Sequence, residues 1–331
     1  MITTVVGSYP KVAEQGYGTG LIGARNKWQR KEWTDAQLER TCQEITRSVI
    51  QEEETAGLDL LTDGQIRWED LVTPIARGLD GFEINGLTRW FDNNVYYRRP
   101  ILHKAPRRRG PILVDDYRFA TRCTRRPVKA VLPGPYTFAR VSEDRHYRSE
   151  RKFVLKLAEL LNDEARALAQ AGAPVVQFDE PALGLADANV RLALEALREA
   201  TKGVKAKTAV YVYFGSLDGT LSALMRSSVD LVGVDVVSDP RTLSALKKTK
   251  ITKELGLGCL DARNTKLESV TELHALFDLI KKRVPLDRVT VSPNCGLEFL
   301  PHTQALAKLR QLVKAVRSYR DRKSTRLNSS H

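Results

Sequence analysis

The sequence predicts an α/β protein of the (β/α)8, or TIM, barrel class, and three observations carry that expectation. Short β-rich runs alternate with longer helical patterns along 331 residues, a length that suits one large domain. Eight such runs can be marked. Most of them end in a polar or special residue, where a barrel of parallel strands places its ligand site.

Taken in order, the expected strands are 3–9, 60–65, 128–133, 174–179, 208–214, 231–237, 255–260 and 289–293. Each is short and rich in Val, Leu, Tyr and Phe, as buried parallel strands are. The segments between them, 35–56, 150–171, 189–201, 217–227, 241–248, 269–284 and 303–319, carry apolar residues at spacings of three and four, the period of an amphipathic helix. The strand ends read Gly7-Ser8, Asp63-Gly64-Gln65, Gly134-Pro135, Asp179-Glu180-Pro181, Tyr211 with Tyr213, Asp235 and Asn294-Cys295-Gly296. A closed barrel brings so many ends to one rim, whereas a doubly wound open sheet, the alternative, does not. Residues 67–126 are too long for one crossover. A helix is expected near 68–79, then an irregular, Arg-rich insertion at about 80–127, after strand 2 and across the rim, with Trp90, Phe91, Tyr96 and Tyr97 in it. The barrel domain is placed at 1–319. Residues 320–331 lack an apolar period and are set apart as a non-native-looking tail.

Composition excludes several classes. No apolar run approaches the roughly 18 residues a membrane helix needs, and the first residues read as a strand, not a signal sequence. The four cysteines, Cys42, Cys123, Cys259 and Cys295, form no C-x-x-C pair, so neither a disulfide framework nor a zinc ribbon is indicated, and a cytoplasmic location fits. The formal charge is +13, but 98–126 and 317–331 supply 12 of those charges. The remainder is near neutral and no nucleic-acid motif accompanies the patch. The basic stretch is either a solvated face or a collar for an anionic substrate tail or acidic partner.

Six motifs occur in order: VVGSYP (5–10), LTDGQIRWED (61–70), LPGPYTFA (132–139), VQFDEPAL (176–183), YVYFGS (211–216) and VSPNCGLEFLP (291–301). Together they resemble the cobalamin-independent methionine synthases, in their single-barrel core form. The resemblance implies a homocysteine S-methyltransferase taking a methyl group from a methylcorrinoid or methyl-folate donor, with a possible acidic corrinoid protein as partner. It implies that Gly7, Ser8, Gln65 and Asp179 hold the amino acid, with Glu180 beside them, and Tyr211 and Tyr213 on the fifth strand are further substrate-binding candidates. Gln65 stands where the family has a carboxylate, so recognition of the amino group rests more on Asp179. The family activates the thiol with zinc, held by an H-x-C pair on the fifth strand, a Glu on the sixth and a Cys on the eighth. Here those positions read Tyr211 and Tyr213, Asp235, and Cys295, of which the cysteine alone is unchanged. Either a metal is held differently, by Cys295, Asp235 and a loop histidine such as His103 or His302, or the thiol is activated without zinc. Cys295 and Asp179 are the catalytic candidates, and Trp68, Trp90, Tyr96 and Tyr97 are candidates to stack on a flat donor ring. His146 and His274 read as surface or packing residues. Alternatives are a related thiol alkyltransferase or lyase, a non-catalytic barrel that binds an amino acid or partner, and, more distantly, a decarboxylase of the uroporphyrinogen type.

Overall fold

The computed structural model describes residues 1–11, 20–89, 91 and 96–328, with side chains described up to 322. Its frame is a seven-stranded parallel sheet made of β1 (Ile2–Thr3), β4 (Ala130–Pro133), β6 (Val175–Asp179), β7 (Lys207–Val212), β8 (Leu231–Asp235), β9 (Glu254–Leu260) and β10 (Val289–Pro293). The order across the sheet is β1-β10-β9-β8-β7-β6-β4, with every pair parallel. The sheet curls until both edges meet the same segment. Thr4, just past β1, bridges to Leu60, and Leu61 bridges to Val128, just before β4, both in parallel. The expected second strand is thus two bridged residues, and the first pairs over little more than Ile2 to Thr4.

The helices cover the outside of this sheet. The longest crossovers are α2 (Asp35–Ala56), α6 (Glu150–Gln170) and α10 (Val270–Lys281), each opened by a hydroxyl N-cap: Thr34, Ser149 and Ser269. Thr34 and Ser269 complete capping boxes with Gln37 and Glu272, which satisfy amides that a helix start would otherwise leave bare. In α2 the buried positions Cys42, Thr46, Val49, Glu53 and Ala56 follow the helical stripe that faces the sheet. Among the described residues no helix is long and apolar enough to cross a membrane.

Four expectations change. The helix near 68–79 shrinks to α3 (Thr73–Gly78), and the segment read as irregular is an antiparallel hairpin of β2 (Leu79–Arg89) and β3 (Tyr96–Arg108), joined in parallel by β5 (Glu143–Asp144). It returns to the sheet through α4 (Val114–Arg122). The expected helix at 217–227 is a single turn, α8 (Leu221–Leu224). The last helix, α11 (His302–Asn328), runs beyond 319 into the segment set apart as a tail.

Candidate active site

At the carboxyl ends of the strands lies a cavity of about 80 Å³. One water needs roughly 10–15 Å³ on this scale, so the space suits a ligand of a few heavy atoms' thickness, such as one amino acid. Six stretches of chain build its wall. Ser8 follows β1, Gln65 and Trp68 follow the bridged 60–61 segment, Tyr97 comes from the hairpin, and Asp179 ends β6. Tyr213 and Phe214 follow β7, and Gly296 with Glu298 follow β10. Gln65 and Phe214 hold φ angles of 49° and 68°, the left-handed region that costs a side-chain-bearing residue about 1–3 kcal/mol. Two strained residues on one cavity wall mark a place where the fold over-determines geometry.

Asp179 is held by a ladder of buried polar groups. Lys129 Nζ donates to Gln177 Oε1 at 2.5 Å, Gln177 Nε2 donates to Asp179 Oδ1 at 2.7 Å, and the Tyr213 hydroxyl donates to Asp179 Oδ2 at 3.0 Å. The second Gln177 amide proton goes to the Val6 carbonyl at 2.9 Å, so that side chain is fully used and cannot flip. Gln177 and Asp179 are two apart on β6 and face the same side. Burial pushes the Asp179 carboxyl up and the Lys129 ammonium down, while their mutual attraction opposes both shifts.

Several of the sequence-picked residues meet at this cavity and others do not. Ser8, Gln65, Asp179 and Tyr213 line it. Gly7 lies behind it, its carbonyl accepting the Thr62 hydroxyl at 2.9 Å. Glu180 turns away. Its two carboxylate oxygens accept the amides of Tyr136 and Thr137, at 2.9 and 2.7 Å, at the start of α5 (Pro135–Val141), and a Cβ on Gly134 would sit 2.0 Å from its Cδ. Tyr211 is packed inside the sheet, where Cβ atoms on Gly233 and Gly256 would come within 2.4 and 2.8 Å of its ring and hydroxyl; the glycines exist to seat it. Of the stacking candidates, Trp68 and Tyr97 line the cavity, Tyr96 is exposed, and Trp90 lies outside the described residues. His274 is buried with Nε2 on the Ala315 carbonyl at 2.9 Å, and His146 is exposed.

Sequence reasoning passed over Glu298, Lys11, Gln177, Lys129 and Glu53. Glu298 sits inside a quoted motif, and Gln177, Lys129 and Glu53 each interrupt an apolar run or stripe with a polar side chain, which is the signal available for them.

The residues present do not fit the zinc that the resemblance implies. Asp235 is occupied: Oδ1 accepts the Val237 and Ser238 amides, both at 2.9 Å, and Oδ2 accepts the Ser238 hydroxyl at 2.5 Å and Asn294 Nδ2 at 3.2 Å. Cys295 is buried against its own loop, its Sγ 3.6 Å from the Gly296 carbonyl. Tyr211 and Tyr213 are phenols raised further by burial. His103 pairs with Glu83 on the hairpin at 2.9 Å, and His302 packs on Tyr9 and faces Glu52, so neither histidine joins them. Among the described residues no three His, Cys, Asp or Glu side chains converge as a metal site.

Fold and cavity together define an α/β protein with a cavity lined by polar side chains on the carboxyl rim of a curled parallel sheet. The family model for the catalytic domain of the cobalamin-independent synthases matches residues 1–318, and the chain belongs to that family, the cobalamin-independent methionine synthases. A methionine synthase of Saccharolobus solfataricus is 31% identical over 329 residues, covering 96% of this chain and 95% of the relative. One from Sulfurisphaera tokodaii is 30% identical over 328 residues, covering 96% and 92%. Among solved structures, a B12-independent methionine synthase from Shewanella sp. W3-18-1, in complex with selenomethionine, superposes with a TM-score of 0.84 at 24% identity over 98% of both chains. A putative vitamin-B12-independent methionine synthase from Listeria monocytogenes follows at 0.74 and 18%, covering 96% of each.

Proposed function

We propose that the chain transfers a methyl group to the thiol of homocysteine, giving methionine, with a methyltetrahydropteroylglutamate donor. The observation that carries this reading is the cavity's mixed set of unpartnered groups. Gln65 Nε2 and Trp68 Nε1 are buried donors without acceptors, and Glu298 Oε2 is a buried acceptor without a donor. A free amino acid offers a carboxylate to the first two and an ammonium to the third. The corrinoid donor and corrinoid partner are set aside, because the family matched is the cobalamin-independent one.

In this reading Ser8 and Gln65 orient the amino acid. The reaction forms an S–C bond, breaks the donor's C–N bond and moves the thiol proton toward the departing nitrogen. A thiol of pKa about 8.5 needs a base to become the nucleophile. Asp179, whose carboxyl is raised first by burial and is oriented from both sides, serves as that base. Trp68 and Tyr97 give the donor ring its aromatic wall. The curled sheet closes in this reading as an eight-stranded barrel with 60–61 as the second stave, supported by the two parallel bridges.

The donor set that fails to fit zinc favours a second reading, an amino-acid-binding barrel without turnover. The deciding assay follows methionine formation from homocysteine and methyltetrahydropteroyltriglutamate in chelator-treated buffer. Methionine that persists with chelator and falls by about 10²-fold or more in Asp179→Asn supports a zinc-independent transferase. No methionine, together with retained methionine binding, leaves the binding reading in its place.

A further inference from the structure

We propose that Glu298 is the residue that recognises the amino group of the substrate and so sets the site's preference for α-amino acids. The inference rests on the amino-acid reading of the cavity and adds a residue to it.

Among the described residues, the carboxylates on the cavity wall are Glu69, Asp70, Asp179 and Glu298. Three of them are engaged. Glu69 Oε2 accepts no hydrogen bond of good geometry but is ion-paired with Arg77 at 2.7 Å. Asp70 accepts the amides of Val72, Thr73 and Arg98 and the Thr73 hydroxyl, at 2.6 to 2.9 Å, which ties the start of α3 to the start of β3. Asp179 has one donor on each oxygen, from Gln177 and Tyr213. Glu298 keeps Oε2 buried and bare. A buried carboxylate oxygen without a donor is costly, and a ligand ammonium is the partner that removes the cost.

The neighbours agree with this assignment. Lys11, the cation of the wall, gives a hydrogen bond to the Trp68 carbonyl at 2.9 Å, and its field, with the Ser8 hydroxyl, acts to keep Glu298 ionised against the desolvation that opposes it. Gln65, across the same cavity, presents an unpartnered amide nitrogen. An amide N–H repels an ammonium and attracts a carboxylate, so Gln65 and Trp68 Nε1 define the carboxylate end of the ligand and Glu298 the ammonium end. The backbone is shaped for it too. A Cβ on Gly296 would lie 2.0 Å from Glu298 Oε2, so the residue between Cys295 and Leu297 must be bare for the carboxylate to fold back toward the cavity.

The test is calorimetric binding of L-methionine and of its desamino analogue 4-(methylthio)butanoate to the full chain and to Glu298→Gln, with melting temperatures as a check on folding. The expected result is that Glu298→Gln weakens L-methionine by roughly 10- to 100-fold, the scale of a hydrogen bond to a charged group, and leaves the desamino analogue within about twofold. An equal loss for both ligands makes Glu298 a structural residue and overturns the proposal, as does no loss for L-methionine. Wild-type chain that binds neither ligand overturns the amino-acid reading as well, so the two failures are told apart. Should Glu298→Gln fail to fold, Glu298→Asp carries the comparison: it keeps the charge one methylene further back and is expected to weaken L-methionine selectively. An unselective change would overturn the proposal.

Discussion

Thr62 has one hydroxyl proton and two acceptors within reach, the Gly7 carbonyl at 2.9 Å and Glu53 Oε1 at 3.1 Å, while the Gly64 amide already donates to its oxygen. The count closes when Glu53 is itself protonated and donates to Thr62. Burial supports that state, pushing the Glu53 carboxyl from 4.5 up to about 8 against the Thr62 hydrogen bonds. Between those two values the native chain holds a proton that the unfolded chain has released, so stability falls as pH rises through this window. Glu53→Gln keeps the hydrogen bonds and removes the titration. Urea midpoints measured from about pH 5 to pH 8 are expected to fall less steeply in the variant, by up to about 1.4 kcal/mol per pH unit. An unchanged slope would mean that Glu53 is ionised in the native state. At this scale Ser8, Gln65 and Asp179 were legible, because strand ends and motif order pointed to them. What Glu180 and Asp235 do was not legible, since their role depends on which backbone amides face the carboxylate, and those amides belong to loops with no pattern of their own.

At the scale of elements, the hairpin of β2 and β3 shows how a sequence can mislead. Asn85-Gly86 is the dipeptide of a tight turn, yet it lies inside β2, where the register slips between Asn85 and Leu87 and Gly86 takes φ +60°. Pro100 and the long basic run further hide the alternation of Tyr97, Ile101 and their exposed neighbours. What anchors the hairpin comes from far along the chain. Glu164, on α6 and 1% exposed, accepts the Ile112 and Leu113 amides and pairs with Arg108 at 2.6 Å. One carboxylate therefore gathers the end of β3 and the loop before α4. Glu164→Ala strands a mostly buried guanidinium and two amides, and is expected to cost about 3 kcal/mol, read as a lower urea midpoint. Trypsin should then cut first at Arg108 or Arg109. Cleavage elsewhere, or unchanged stability, would show that the hairpin is held by its apolar contacts instead. By contrast, the expected spans of α2, α6 and α10 agree with the structure to within a few residues, because amphipathic period and capping residues are both local signals.

For the molecule as a whole, the alternation of strand and helix predicted a parallel sheet, and the structure has one, but pairing strength around it is uneven. Neighbours from β6 to β10 share four or five paired residues, whereas the 60–61 segment is held by one bridge on each side. Sequence cannot reveal that difference, since residues 60–65 are as apolar at their start as any other strand; only the turn at Asp63 and Gly64 and the pull of Gln65 into the cavity take the rest of the segment out of the ladder. If the barrel closes here, this seam is its least protected part, and it is also the part that carries Gln65 and Trp68 to the ligand. The buried Thr4 hydroxyl donates to the Leu60 carbonyl at 2.7 Å across the seam. Thr4→Val keeps the shape and removes the bond, a change of about 1 kcal/mol. Amide hydrogen exchange is expected to quicken about fivefold at Leu60, Leu61 and Lys129 and to stay as it was at Val232 and Leu255, because a local opening does not pass through global unfolding. A uniform change at all five amides would mean that the seam opens only when the whole sheet does. In that case the weak pairing at 60–61 is compensated by the helices outside it, and ligand access must come from movement of the loops at the rim.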